Sequence, residues 1–252
     1  MNQWNQLTDI FGCNRDNESI PECAADNICI AWPSILRCIK KECDSTARQK
    51  VLDFGCGGGL FCCELFKMGF EVTGYDQSEE LAKAAQANTP EAVTITDSKI
   101  IAAQKGKYDL ITAIMVLQFV EDIKSTISNL LSILEPNGLF VCVVFNPKFI
   151  EENSDNSIFV GFKNNLTGFM ELKKGIKIRC YSRTDSEYRS VFKKLGYEEV
   201  YIDYPKFTEE FLDKYKMPFS TENSEYLIQA FRRKNTHHTG QDKRLSGTNA
   251  HS

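Results

Sequence analysis

Three glycines and two aspartates carry the strongest chemical signal in the chain. Gly55, Gly57 and Gly59 lie in VLDFGCGGG, Val51 to Gly59, directly after a short apolar run and ahead of a helical stripe. Without a Cβ, such residues let a strand-to-helix turn bend sharply and let backbone N–H groups approach a ligand closely. That is chemistry for a nucleotide-type ligand. A dinucleotide turn requires G-x-G-x-x-G, yet the sixth position is Leu60 counted from Gly55 and Cys62 counted from Gly57. Asp53 stands two residues before the first glycine. A carboxylate there is repelled by a pyrophosphate and favoured beside a cationic or amine-bearing ligand. A second acid, Asp76, closes the next apolar run, FEVTGYD.

D-x-G-x-G-x-G after an apolar strand resembles motif I of the class I, Rossmann-like S-adenosylmethionine-dependent methyltransferases. The similarity extends closely over roughly 50–145 and in outline over 180–233. It implies S-adenosyl-L-methionine as cofactor, with Asp53, Gly55, Cys56 and Gly57 at the donor. By the same resemblance Asp76, with Gln77 beside it, accepts both ribose hydroxyls. Asp97, just past the third strand, matches the acceptor for the adenine amino group, with Ser98 next to it. In YDLITAIMVLQFVED, Met115 and Gln118 fall near the donor's methionine end, and Phe119 is either core or a wall of the adenosine site. LEPNGLFV looks like the family's L-x-P-G-G approach to the fifth strand and departs from it at Asn137. The resemblance is greatest to the small-molecule branch. It implies in-line displacement of a methyl group from a sulfonium sulfur.

The elements around these residues are those of an α/β fold. Near-continuous apolar strands alternate with helices of 10–15 residues, which argues a doubly wound, mostly parallel sheet with helices on both faces. Strands are expected at 50–55, 70–76, 92–96, 108–116 and 138–146, with helices at 60–69, 78–87 and 121–134, the last closed by Pro136-Asn137-Gly138. Thr184 and Glu187 form a capping box for a helix to about Leu195. Strands at 197–204 and 224–233, around a loop or short helix at 206–216, make seven in all, the last antiparallel. Residues 1–24 read as an extended N-terminal arm with at most one short helix, and 25–234 as the domain, opening with a helix at 25–42. Within it 148–176 has no clean period and reads as an insertion or lid. The apolar-poor stretch 235–252 reads as a disordered tail and holds all three histidines, so no histidine triad belongs to the folded body.

Composition narrows the partners. A net charge of −4 over 252 residues gives no general attraction to a phosphate backbone. After the fourth strand the chain has Ile114-Met115-Val116 where amino-methylating nucleic-acid enzymes carry Asn/Asp-Pro-Pro-Tyr, and no Pro-Cys dipeptide occurs. A small organic molecule is therefore the first acceptor expected, a protein or peptide the second, nucleic acid the last. The ten cysteines contain no C-x-x-C pair, which reads as structural thiols in a reducing, cytoplasmic compartment and no metal site. The start lacks a signal-peptide pattern, and no apolar run is long enough to span a membrane. No catalytic base is forced. For the acceptor side, Trp4 is a candidate cover, Asn146 lies after strand five, and Tyr181 and Arg183 precede the late helix. Arg183 could grip a carboxylate or phosphate through its fork geometry. A nucleotide-binding oxidoreductase and a donor-binding, non-catalytic partner subunit stand as alternatives outside this reading.

Overall fold

The computed structural model describes residues 2–12, 20–43, 49–103, 107–154, 158–162 and 166–234. The expected tail at 235–252, with its histidines, lies outside the described residues. Among the described residues ten strands form: β1 (Lys50–Phe54), β2 (Glu71–Tyr75), β3 (Val93–Ile95), β4 (Tyr108–Ile114), β5 (Leu134–Phe145), β6 (Phe159–Val160), β7 (Thr167–Lys173), β8 (Ile176–Tyr181), β9 (Tyr197–Asp203) and β10 (Tyr226–Arg233). Seven of them make one sheet in the order β3-β2-β1-β4-β5-β10-β9. The pairs among β1 to β5 are parallel, and β10 runs antiparallel to both β5 and β9.

Successive strand residues feed opposite faces, as the pleat requires. Val51, Leu110 and Val141 pack into one apolar cluster, while Leu52, Ile111 and Phe140 pack into the other. Both faces are covered, which is why the strands are apolar throughout rather than alternating. The helices are α1 (Thr8–Phe11), α2 (Trp32–Glu42), α3 (Leu60–Lys67), α4 (Glu79–Asn88), α5 (Ser98–Ala102), α6 (Ile123–Ile133), α7 (Pro147–Glu152), α8 (Asp185–Lys194) and α9 (Glu209–Tyr215). Ser78 caps α4, and the Thr184–Glu187 capping box of α8 forms as expected.

Three expectations need correction. Where it is described, the N-terminal arm is not extended: Gln3–Leu7 winds as a 3-10 turn that runs straight into α1, and Glu22–Ala24 forms another. Asn2 caps the first turn, and Leu7 is fully buried. Trp4, Leu7, Ile10 and Phe11 recur at helical spacing, a stripe that the polar residues between them mask in the sequence. The insertion is not aperiodic either. Its β6, β7 and β8 form a three-stranded antiparallel sheet, with β7 alternating Gly168 and Met170 inward. Finally, Pro136-Asn137-Gly138 does not sit before the fifth strand. β5 begins at Leu134, and its register against β4 breaks so that 135–138 bulge out of the ladder.

Candidate functional site

The glycine turn is built by what it must avoid. Gly55 sits at φ 80°, and a Cβ there would lie 2.2 Å from Val116 Cγ2. A Cβ on Gly57 (φ 53°) would rest in ordinary contact with the Phe11 carbonyl at 3.5 Å, whereas Gly59 (φ 81°) lets α3 approach α4, a Cβ meeting the Ala85 backbone at 2.9 Å. The turn is held from both sides. Gly55 and Cys56 donate their N–H groups to the Tyr75 carbonyl at 2.7 and 2.9 Å. Gly57 N–H donates to Asp76 Oδ2 at 2.9 Å, and Ser78 N–H to Asp76 Oδ1 at 2.9 Å. The turn after β1 and the carboxylate closing β2 thus touch directly. Burial pushes the Asp76 carboxyl up, and those two backbone donors act against it.

Asp53, central in the sheet on β1, accepts hydrogen bonds from Thr112 Oγ1 (2.7 Å) and Cys62 Sγ (3.5 Å). Burial raises its pKa from 3.8 to about 6 despite these donors. An acid whose folded-state pKa is raised weakens the fold once ionised, so the cost is absent below the unfolded value and complete above about 6. A shift of that size corresponds to roughly 3 kcal/mol at most. Asp53→Asn should therefore stabilise the ligand-free protein at about pH 7.5, with the gain shrinking toward about pH 5. Thermal denaturation at the two pH values checks this; an equal gain at both excludes an ionisation cost.

The turn opens onto a cavity of about 600 Å³ at the carboxyl edge of the sheet. Of the residues singled out in the sequence, Trp4, Asp53, Gly55, Cys56, Gly57, Asp76, Gln77, Met115 and Gln118 line it. Met115 holds a left-handed φ of 56°, a strained conformation for a residue with a side chain, found at the end of β4 beside the cavity. Gln118 is 1% exposed and its Oε1 has no partner. Five others are placed elsewhere. Asp97 caps α5 by accepting Lys99 N–H at 2.8 Å, and it and Ser98 are exposed and outside the lining. Asn146 caps α7 and donates to the Ser224 carbonyl. Tyr181 lies under the Arg183 guanidinium, 4.4 Å from ring centroid to Cζ.

Arg183 itself is spent inside the fold. It donates to the carbonyls of Leu117 (3.1 Å), Val120 (2.7 Å) and Glu121 (3.0 Å), which clamps the segment after β4. Arg183→Ala should cost about 2 kcal/mol of stability through lost charged hydrogen bonds. Urea denaturation reads this, and a loss under about 0.5 kcal/mol, the usual effect of a surface substitution, contradicts the clamp.

Several lining groups carry no motif in the sequence. The arm closes one side: Phe11 accepts Gly58 N–H at 2.8 Å, Asn5 accepts from Ser78 Oγ at 2.6 Å, and Asn2 donates to the Gln77 carbonyl. Trp4 meets Phe119 edge-on at 4.9 Å, and Asp9 pairs with Lys173 of β7 at 2.6 Å, linking arm to insertion. Asp26 and Asn27 line the cavity from the helical turn that runs into α2, and Glu225 and Tyr226 from the start of β10. Their only signal in the sequence was the position of 225–226 at the start of an antiparallel last strand, which delivers them to the carboxyl edge.

Comparison with known proteins identifies the family and the fold. A family profile described as a methyltransferase domain matches residues 30–202. Among curated proteins, the ubiquinone biosynthesis O-methyltransferase of Histophilus somni is 29% identical over 127 residues, 46% of this chain and 53% of that protein. The chain thus spans about half the length of that relative. A putative S-adenosylmethionine dependent methyltransferase from Listeria monocytogenes superposes with TM-score 0.62 at 20% identity, covering 81% of this chain and 100% of that one. The magnesium protoporphyrin IX methyltransferase of Synechocystis, solved with bound SAH, gives TM-score 0.60 at 19% identity, covering 92% and 93%. At such identities these structures bear on the fold alone. Among the described residues no helix is long and apolar enough to cross a membrane.

Proposed function

The chain belongs to the methyltransferase-domain family, within the class I, Rossmann-like superfamily that depends on S-adenosylmethionine, and on that premise we propose that it methylates a small organic acceptor. The observation that carries this reading is the direct Gly57–Asp76 contact at the mouth of one apolar cavity. The residues present fit the donor. Gly57, left-handed and without a side chain, lets the turn's backbone come close to a ligand, and each Asp76 oxygen holds one backbone N–H while keeping lone-pair capacity for a ribose hydroxyl. Gln118 offers an unspent acceptor, and Asp53 a carboxylate whose ionisation a cationic group favours.

Bound S-adenosylmethionine supplies a methyl group on a sulfonium sulfur, with a neutral thioether as leaving group. The chain's part is placement and exclusion of water. Gln77, Cys56 and Met115 complete the donor wall. Trp4 and Phe11 from the arm, with Phe159 and Met170 from the insertion, cover the remainder with apolar surface. Holding the acceptor atom about 3 Å from the methyl carbon, in line with sulfur, accounts for much of the rate in such a displacement. Asp97 and Ser98 receive no donor contact in this reading.

The test is incubation with S-adenosylmethionine labelled in its methyl group, together with a fractionated extract of small metabolites. Label in a low-mass product, with S-adenosylhomocysteine formed, is the expected result. Label on macromolecules instead would move the acceptor to protein or nucleic acid. Donor binding with no turnover across all fractions would favour a non-catalytic subunit.

A further inference from the structure

The acceptor end of the cavity has an electrostatic character that narrows the substrate class. Every charged side chain among the described lining residues is a carboxylate: Asp26, Asp53, Asp76 and Glu225. The arginine nearest in sequence to expectation, Arg183, is committed to three carbonyls and contributes nothing to the lining. Asp53 and Asp76 are accounted for at the glycine turn. Asp26 and Glu225 are not.

These two come together because β10 is antiparallel. Its first residue, Tyr226, pairs with Phe145, the last residue of β5, and the Glu225 carbonyl accepts Asn146 N–H at 2.8 Å. The start of β10 therefore stands at the same edge as the carboxyl ends of the parallel strands. Tyr226 is fully buried, and its hydroxyl donates to Asp26 Oδ2 at 2.7 Å. Glu225 is 9% exposed. Asp26 also accepts the Asn27 N–H on Oδ1 at 2.8 Å, so the phenolic proton is the side-chain donor that the two carboxylates share. Burial, then the charge of Asp26, pushes the Glu225 carboxyl well above the usual carboxylate range. Without a cation that arrangement is costly, and with one it is not.

An independent feature points to the same ligand. Of the lining atoms not already given to the methyl donor, the buried Asn27 Oδ1, next to Asp26, has no partner, and it too is an acceptor. The cavity has acceptors in excess and wants donors. A group with several N–H bonds and a positive charge supplies both. The rest of this wall is aromatic: Phe159 meets Phe145 edge-on at 5.2 Å, and Phe219 meets Phe149 at 5.1 Å. Aromatic rings beside carboxylates suit an ammonium carried on an apolar body.

We propose that Glu225, with Asp26 and Tyr226, seats the protonated amine of an apolar, aromatic-sized acceptor and takes its proton before methyl transfer. The inference rests on the methyl-transfer reading and names the substrate class of that site. The ammonium N–H bond breaks, its proton passing to a Glu225 carboxylate oxygen and its electron pair staying on nitrogen. That pair forms the N–C bond as the S–C bond breaks, with the S–C electrons left on sulfur as the neutral thioether. The methylated ammonium then loses a proton to water if it is released neutral, and Glu225 returns its own proton to solvent. Among the described lining residues an anionic acceptor meets no cationic side chain.

The experiment is calorimetric titration of the protein loaded with S-adenosylhomocysteine. Three matched probes differ only in the polar end: tryptamine, tryptophol and indole-3-propionate. Saturation with S-adenosylhomocysteine is verified first. Failure at that step counts against the donor assignment, and success isolates the acceptor question. Tryptamine is expected to bind at least tenfold tighter than tryptophol, with indole-3-propionate weakest. Glu225→Gln should bring tryptamine and tryptophol within threefold of each other while S-adenosylhomocysteine affinity stays at the wild-type value. The wild-type ranking stands as a test even if that variant folds poorly. Tryptophol or the carboxylate ranking first, or no binding of tryptamine by the loaded protein, overturns the proposal.

Discussion

Gly55→Ala is expected to destabilise the protein by about 2–5 kcal/mol and to abolish measurable donor binding. The left-handed backbone at this position costs an L residue roughly 1–2 kcal/mol. Overpacking adds about 1–3 kcal/mol, because the new methyl would sit 2.2 Å from Val116 Cγ2 in a well-filled interior. Relief requires moving either the turn or Val116, which follows the strained Met115 at the end of β4. Both movements reshape the donor wall. Gly196→Ala separates the two effects. Its φ of 84° carries the same conformational cost, yet nothing lies within 4 Å of the added Cβ. It should lose only the smaller amount, about 1–2 kcal/mol, and leave donor affinity intact. Urea denaturation gives the stabilities and calorimetry the affinities. Equal behaviour of the two variants would remove the glycine turn from the site.

The second large effect belongs to Asp76→Ala. That side chain joins three things: the Gly57 N–H, the Ser78 N–H and the cavity. Removing it takes away the acceptors for the nucleoside and leaves two backbone donors without their partner. A weakening of donor binding by roughly 1–3 kcal/mol follows, which is about 5- to 150-fold in Kd. Asp76→Asn keeps one acceptor oxygen and should fall between wild type and alanine. A titration showing unchanged affinity in the alanine variant removes Asp76 from the nucleoside site, whatever becomes of the fold.

The sheet was legible because its signals are local and redundant. Apolar runs close on Gly55, Asp76 and Asn146, helical stripes fall between them, and the capping box at Thr184 is complete in four residues. The glycine turn and Asp76 were legible for a related reason: tight geometry limits which residue types can stand there. What escaped notice depends on long-range placement. The arm's Leu7 is buried and Trp4, Ile10 and Phe11 half-buried through partners far along the chain, Trp4 on Phe119 and Phe11 bonded to Gly58. β6 is two residues long and α5 five, too short for a period to declare itself. Arg183 has the chemistry to hold an anion, and only the position of three carbonyls across the chain shows that it does not. The same holds for Asp26 and Tyr226, 200 residues apart in sequence and joined by one hydrogen bond. Side chains at an edge are read from topology, not from spacing.

Calorimetric titration of the unliganded protein with S-adenosylmethionine, S-adenosylhomocysteine and NAD, in separate runs, bears most directly on the claim that a nucleoside is gripped between Gly57 and Asp76. Micromolar binding of both sulfur nucleosides at one site, with no heat from NAD, is the predicted result. Preferential binding of NAD, or no binding of either sulfur nucleoside, would contradict it.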